Sequence, residues 1–214
     1  PPPFFSGSMG TASSALPSTN AALERLTGAE SVDDPASDPA FWNELCSSTV
    51  AIPGGSKPEE LNALSLHWCA QLVTHNAKSG NFQALIRVLI KEVGAACADN
   101  ASAAQMTRAS GCIFLVRTFL KHMLETLEPE DMLQHLSTHS AARTGGSTAA
   151  PDAGSLAAPL LEALFIALAD LPLTATSYWV HHEALAALTV CLSGQLFCEL
   201  SSAAPMPLVV AALG

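Results

Sequence analysis

A stretch near the middle of the chain repeats its apolar residues with the period of an α-helix. Between residues 82 and 93 they fall at relative positions 0, 3, 4, 7, 8 and 11, whereas a half-buried β-strand would place them at every second position. The two basic residues of the stretch, Arg87 and Lys91, lie one turn apart on the opposite side. The sequence therefore predicts an amphipathic helix with a wide buried face. That face consists of Phe82, Leu85, Ile86, Leu89, Ile90 and Val93.

Three proline residues stand where further helices would begin. Proline suits the first helical position because the N–H that it lacks has no intrahelical partner there. Asp38, directly before Pro39, adds an acceptor side chain for the first free N–H groups of that helix. We therefore predict helices that begin at Pro39, at Pro58 and at Pro129, the last running through Leu136.

The helix that begins at Pro58 has a broad apolar side. Its main stripe has helical spacing, and three more residues widen it, so we predict that all of them are buried. Trp42, in the preceding helix, is predicted to lie in the core as well. The stripe and its flanks comprise Leu61, Leu64, Leu66, Trp68, Cys69, Leu72 and Val73.

Three more segments have the pattern of long apolar helices. One lies near 102–127, and a pair, 160–171 and 180–200, flanks a corner at Pro172. The segment 208–213 continues the apolar pattern. Successive helices with short corners predict an all-α protein, arranged as an irregular helical array or an α-solenoid-like stack. No strict repeat assigns the chain to a regular repeat class.

Composition divides the chain into a tail and a helical part. Residues 1–19 are rich in Pro, Ser, Gly and Ala without a helical period, which predicts a flexible amino-terminal tail. Residues 20–214 form the predicted helical part. Within it, residues 140–156 shift to Ala, Gly, Thr and Ser, and we predict a flexible insertion there.

The charge and hydropathy of the chain exclude several classes of protein. Nine Lys and Arg stand against 19 Asp and Glu, a formal net charge of −10, so the chain cannot present the phosphate-neutralising surface of a nucleic-acid-binding protein. Hydrophobic residues make up 49% of the chain, which predicts a folded protein. The mean hydropathy of +0.32 is high for a complete soluble domain, so we expect some apolar surface to face chain that is missing here.

The sequence also predicts whether the chain has a membrane-spanning segment or a signal peptide, and whether its cysteines are reduced. No segment has the roughly 18 uninterrupted apolar residues that a membrane-spanning helix needs. The first residues lack the basic and apolar regions of a signal peptide. We therefore expect a cytosolic protein whose six cysteines are reduced and bind no metal.

Residues with catalytic or metal-binding chemistry are scattered rather than clustered. His67 and Cys69 would lie about 200° apart around a helix, so they cannot share a metal ion without strain. His181 and His182 with Glu183 contain half of a zinc motif but lack a second His four residues on. The sequence contains no phosphate-binding glycine loop, dinucleotide fingerprint or nucleophile elbow. It predicts no catalytic residue, no metal site and no cofactor.

One short motif in the tail has a chemical meaning. The segment 9–14, Met-Gly-Thr-Ala-Ser-Ser, matches the N-myristoylation signal. The acyltransferase requires a free amine on Gly10 after removal of Met9, and Met9 is internal here. Taken alone, a chance Gly–Ser tail is the better interpretation of the motif.

Three separated blocks share the order and spacing of blocks in one known family. They are 23–31 with 38–45, 80–88, and 160–173 with 183–197. Over about residues 20–100 and 157–200 they resemble the amino-terminal part of the dymeclin family of Golgi-associated proteins. Family members are far longer, so the resemblance implies that the chain is an amino-terminal fragment.

The resemblance implies a non-enzymatic, helix-rich protein on the cytosolic face of the Golgi. Such a protein exchanges with the cytosol and supports Golgi organisation and trafficking through Golgi or trafficking proteins. Family members begin Met-Gly and are myristoylated, and counting back from the first block places that start at Met9, with Gly10 as the lipidation site. The family lacks residues 1–8, which we interpret as an upstream extension or as added residues, because a preceding peptide would block the amine of Gly10.

Two hypotheses from different classes remain. The favoured one is a membrane-peripheral scaffold, held in part by a myristoyl anchor, whose helical surfaces bind Golgi or trafficking proteins. The alternative is a soluble helical-repeat adaptor with no lipid anchor. Neither hypothesis includes a nucleic acid or a small-molecule substrate, and an enzyme ranks third because no catalytic constellation occurs.

Overall fold

The computed structural model describes residues 21–32, 34–48, 58–137 and 154–193. These residues form eight α-helices and no β-strand, apart from an isolated bridge between Ser137 and Ser155. The predicted all-α class is confirmed. The helices are α1 (Ala21–Thr27), α2 (Pro39–Ser48), α3 (Pro58–Ser79), α4 (Asn81–Ala96), α5 (Ala103–Thr126), α6 (Pro129–Leu136), α7 (Ala157–Ala169) and α8 (Tyr178–Leu192).

Local chemistry sets most of the helix starts where the sequence placed them. Proline begins α2, α3 and α6. The Asp38 carboxylate accepts the N–H of Phe41 at 3.1 Å, which satisfies a donor in the first turn of α2. Ser102 and Gln105 form a reciprocal capping box at the start of α5. The short α1 was not predicted, because it has no apolar period long enough to indicate a helix.

Helices α4 and α5 form an antiparallel hairpin. Near one end, the Arg108 guanidinium pairs with the Glu92 carboxylate at 3.0 Å. Towards the other end, the rings of Phe82 and Phe119 meet edge to face with centroids 6.3 Å apart. The start of α4 therefore lies beside the end of α5.

A second hairpin, α7–α8, packs against the first. Helix α7 contacts α4, and α8 contacts α5. The Arg117 guanidinium of α5 donates to the Glu183 carboxylate of α8 at 2.8 Å. On α5, the Cys112 thiol also meets the Cys46 thiol of α2 at 2.8 Å. The first helices of the two hairpins, α4 and α7, thus lie side by side, and so do the second helices, α5 and α8. This arrangement is the stacking of an α-solenoid.

The predicted core is largely confirmed, with one clear error. Trp42, Trp68 and the stripe of α4 are buried, except that Ile90 is only partly so. Leu66 is 51% exposed, so its predicted burial is wrong. It lies beside the main stripe of α3, where none of the described helices covers it. Val73 is partly buried, and the side chains of Leu61 and Leu64 are outside the described part of the chain.

Parts of the predicted organisation fall outside the described residues. The tail (1–19), most of the insertion (140–156) and the segments 194–200 and 208–213 belong to this group. The far side of the insertion is tied to α6, because the N–H of Leu156 donates to the carbonyl of Leu136 at 2.9 Å. Helix α8 itself begins two residues before the predicted start and ends at Leu192.

Candidate interaction surfaces

The large apolar side chains that face solvent are concentrated on the second hairpin. Among the described residues seven are exposed, and six of these lie on α7, on α8 or between them. We call these six the α7–α8 apolar surface. They are Phe165, Leu173, Tyr178, Trp179, Leu185 and Leu192.

The α8 residues of this surface share one side of the helix. Tyr178, Leu185 and Leu192 are spaced by seven residues, or about two turns, so they lie in line. The opposite side of α8, which includes Val180 and Ala187, is buried against the rest of the protein. Helix α8 is therefore apolar on both sides, but the described residues cover only one of them.

Aromatic rings cluster at the start of α8. The Tyr178 and Trp179 rings meet edge to face with centroids 5.4 Å apart, and His182 lies 5.5 Å from Trp179 and 6.3 Å from Tyr178. Trp179 is nevertheless 55% exposed. Clustered exposed aromatics of this kind are typical of surfaces that bind protein, because large rings lose much apolar area to a partner at little entropic cost.

Three side chains with possible metal-ligand atoms, Cys69, His75 and Glu183, are buried or bonded to other groups. Cys69 is buried, and burial raises the pKa of its thiol to about 12, so the thiolate that a metal requires is strongly disfavoured. His75 uses Nδ1 to bond the carbonyl of Thr27 at 2.9 Å. Glu183 pairs through one carboxylate oxygen with Arg117 at 2.8 Å and through the other with Nδ1 of His182 at 3.2 Å. Over the described ranges, no group of three His, Cys, Asp or Glu side chains could hold a metal ion.

The predicted lipidation site is not among the residues that form the α7–α8 apolar surface. Gly10 is outside the described residues, so its modification remains a prediction. Within the described part of the chain, no helix combines the length and the apolar character that crossing a bilayer requires.

Comparison with known proteins identifies the family. The family model described as "Dymeclin: Dyggve-Melchior-Clausen syndrome protein" matches residues 9–210, which is most of the chain. The chain belongs to the dymeclin family. The match begins at Met9, the residue that the sequence analysis placed at the family start.

Curated dymeclins of vertebrates and insects are similar to the chain. The Xenopus laevis protein is 32% identical over 84% of this chain, and the Mus musculus protein is 30% identical over 83%. The Drosophila melanogaster protein is 23% identical over 85%. The chain spans 26% of the frog and mouse dymeclins and 30% of the fly protein. No solved structure matches the chain.

A second surface feature was missed by the sequence analysis. A cavity of about 570 Å³ lies where the end of α3, the start of α4 and α6 meet. Its walls come from segments that are far apart in the sequence, and no local motif marks them. Only the packing of these helices brings its charged and polar side chains together.

Proposed function

We propose that the chain is the amino-terminal part of a non-enzymatic, membrane-peripheral helical scaffold that supports Golgi organisation and intracellular vesicle trafficking. Membership in the dymeclin family supports this role. The structural observation that carries it is the α7–α8 apolar surface, because a scaffold acts through surfaces that other proteins cover.

The charge of the second hairpin favours a protein over a lipid as the occupant of this surface. Helices α7 and α8 contain no Lys or Arg. Glu162 lies on α7 and Asp170 directly follows it. Anionic headgroups attract basic segments and repel acidic ones, so a membrane is a poor partner for this hairpin. Tyr and Trp side chains, in contrast, are enriched at the centres of protein interfaces.

The lipid anchor is the second element of the proposal. In a chain that begins at Met9, removal of the initiator leaves Gly10 with a free amine within a myristoylation signal. One myristoyl chain binds membranes only marginally, with a constant on the order of 10⁴ M⁻¹, so stable residence needs another contact. We assign that contact to a Golgi protein seated on the α7–α8 apolar surface.

The anchor is tested by Gly10→Ala in a chain that begins at Met9, followed by cell fractionation. We expect the unmodified chain to partition between Golgi membranes and cytosol, and the variant to be found in the cytosol. If the variant stays on Golgi membranes as fully as the parent, the lipid is dispensable. If both remain in the cytosol, the soluble adaptor with no lipid anchor replaces the scaffold.

The apolar surface is tested separately by the double substitution Trp179→Ser and Leu185→Ser. These side chains are 55% and 57% exposed, so their loss should leave the melting temperature nearly unchanged. We expect the myristoylated variant to leave the Golgi. The matched control is Leu66→Ser, which removes an equally exposed leucine from α3. Equal Golgi residence of the double variant and the control would contradict the assignment of this surface.

A further inference from the structure

The cavity beside α4 has a wall of polar and charged side chains. Lys78 and Ser79 end α3, and Gln83 and Arg87 occupy the first two turns of α4. Asp131 of α6 and Asp34, from the segment before α2, complete the charged part of the lining. The volume of about 570 Å³ is within the range of small-molecule sites and far larger than one phosphate ion needs.

The amino terminus of α4 opens into this cavity. Gly80 precedes the helix with φ of 68°, a left-handed conformation that glycine adopts without a steric penalty. The helix then runs for 16 residues. The N–H of Phe82 donates to the side-chain oxygen of Asn76 at 2.8 Å. The other N–H groups at the start of the helix and the helix dipole favour a negative charge at this end, as at many phosphate sites.

Two buried polar atoms in the wall lack a partner among the described residues. Ser79 and Gln83 are only 6% and 7% exposed, and neither Ser79 Oγ nor Gln83 Oε1 makes a hydrogen bond. The Gln83 amide is oriented by its nitrogen, which donates to the carbonyl of Ser137 at 3.2 Å. Buried polar atoms are nearly always satisfied, so a hydroxyl donor and an amide acceptor left open at one cavity indicate a ligand with groups of both kinds.

The basic side chains at the cavity form no ion pair among the described residues. Among the seven Lys and Arg residues that the structure describes, four form ion pairs. The other three are Lys78, Arg87 and Lys91, and two of these line the cavity. Lys78 and Arg87 offer charge-assisted hydrogen bonds to an anion near the start of α4, and the carboxylates of Asp34 and Asp131 in the same lining offer acceptors to hydroxyl groups.

We propose that this cavity binds a phosphorylated polyol. The phosphate lies at the start of α4 between Lys78 and Arg87 and accepts a hydrogen bond from Ser79 Oγ. The hydroxyl groups of the polyol donate to Gln83 Oε1 and to the carboxylates of Asp34 and Asp131. This site is independent of the lipid anchor and of the α7–α8 apolar surface.

The first test measures binding of inositol monophosphate to the full chain by isothermal titration calorimetry. We expect saturable binding, with unphosphorylated inositol and inorganic phosphate each bound at least about tenfold more weakly. Lys78→Gln and Arg87→Gln should each weaken the affinity about tenfold, the effect of losing one charge-assisted hydrogen bond. Lys91→Gln removes the same charge from an exposed position of α4 outside the cavity and should leave the affinity unchanged.

Ser79→Ala separates binding from folding. Because the Ser79 hydroxyl has no partner among the described residues, its removal should leave the melting temperature unchanged or raise it. The same variant should bind inositol monophosphate several-fold more weakly. No binding by the parent chain, or an equal loss of affinity in Lys91→Gln, would overturn the proposal.

A vesicle assay identifies the source of the ligand. Phosphatidylcholine vesicles with and without phosphatidylinositol monophosphate present the same headgroup attached to a lipid. Sedimentation that requires the phosphorylated lipid and is lost in Lys78→Gln would assign the site to a membrane headgroup. Binding of the soluble compound without sedimentation would assign it to a free metabolite. Sedimentation that Lys78→Gln and Arg87→Gln leave intact would contradict the site.

Discussion

The side-chain oxygen of Asn81 accepts a hydrogen bond from the backbone N–H of Val32 at 2.9 Å, and both residues are buried. The amide nitrogen of the same side chain donates to the carbonyls of Leu26 and Glu30 at 2.8 and 2.9 Å. Leu26 is in the last turn of α1, and Glu30 and Val32 belong to the segment that follows it, so a single side chain satisfies three backbone groups at the end of this helix. Asn81 thereby ties α1 to the first residue of α4.

Replacement of Asn81 by alanine is expected to destabilise the protein by at least about 2 kcal/mol. The substitution leaves an N–H and two carbonyls without their partners, and unsatisfied buried polar groups cost about 1–3 kcal/mol each. Urea unfolding followed by circular dichroism measures the change. The control is Gln71→Ala, which removes an amide from an exposed position of α3. A loss no greater than that of the control would contradict the role of Asn81.

Ile86→Asp is expected to destabilise the protein by about 3 kcal/mol or more. Ile86 is fully buried on α4, and an unpaired carboxylate there would lose its hydration without gaining a partner. Leu66→Asp, the same change to an exposed leucine of α3, should have little effect. Thermal denaturation compares the two variants. Equal melting temperatures would show that the stripe of α4 is not core.

Stability is expected to fall as the pH is lowered below about 6.5, in part because of His135. Burial lowers the pKa of this imidazole, and the Asp131 carboxylate opposes the shift. The side-chain amide of Asn76 donates to His135 Nδ1 at 2.9 Å, a bond that needs the unprotonated nitrogen. The unfolded chain therefore binds a proton at a higher pH than the folded chain, and the free energy of unfolding decreases as the pH falls through that range.

The variant His135→Gln isolates this contribution. His122, whose pKa is also lowered by burial, is present in both proteins. Its contribution to the pH dependence of stability therefore cancels when the two proteins are compared. We expect the parent chain to lose more stability between pH 7 and pH 5 than the variant loses. Denaturant unfolding at the two pH values measures the difference. Identical losses would show that the pKa of His135 is the same in the folded and the unfolded chain.

The buried thiols are expected to be reduced and slow to react. Burial raises the pKa of Cys69 and of Cys191 to about 12 and also raises the pKa of Cys112, whose thiol contacts Cys46. Iodoacetamide labelling of the native chain, with peptide mass mapping, should therefore modify these four positions only after denaturation. Among the described cysteines, Cys97 is the least buried and should react first.

Elemental analysis tests whether the cysteines bind zinc. We expect no stoichiometric zinc in the purified chain, since the described cysteines belong to no group of three His, Cys, Asp or Glu side chains that could hold a metal ion. Stoichiometric zinc, or a disulfide that survives native digestion, would show that the cysteines are ligands or cross-links.

The candidate surfaces show where sequence reasoning reaches its limit. Periodicity marks a residue as apolar and places it on a side of a helix, but it does not say whether another helix covers that side. Leu66 and Leu185 both belong to apolar patterns and are exposed for this reason. Lys78 and Arg87 face one cavity only because α3, α4 and α6 converge there.

The sequence by itself determined the all-α class, most of the helix starts and most of the core in the described part of the chain. Helical period, first-turn prolines and the Asp38 and Ser102 caps act within a few residues of one another, so they can be read locally. The blocks of residues that match the dymeclin family are equally local. Tertiary structure alone decided which apolar sides stay open, how Asn81 bonds a segment about fifty residues away, and which charges share a cavity. These features depend on how the helices stack, and the energies that fix the stacking are sums over many distant contacts.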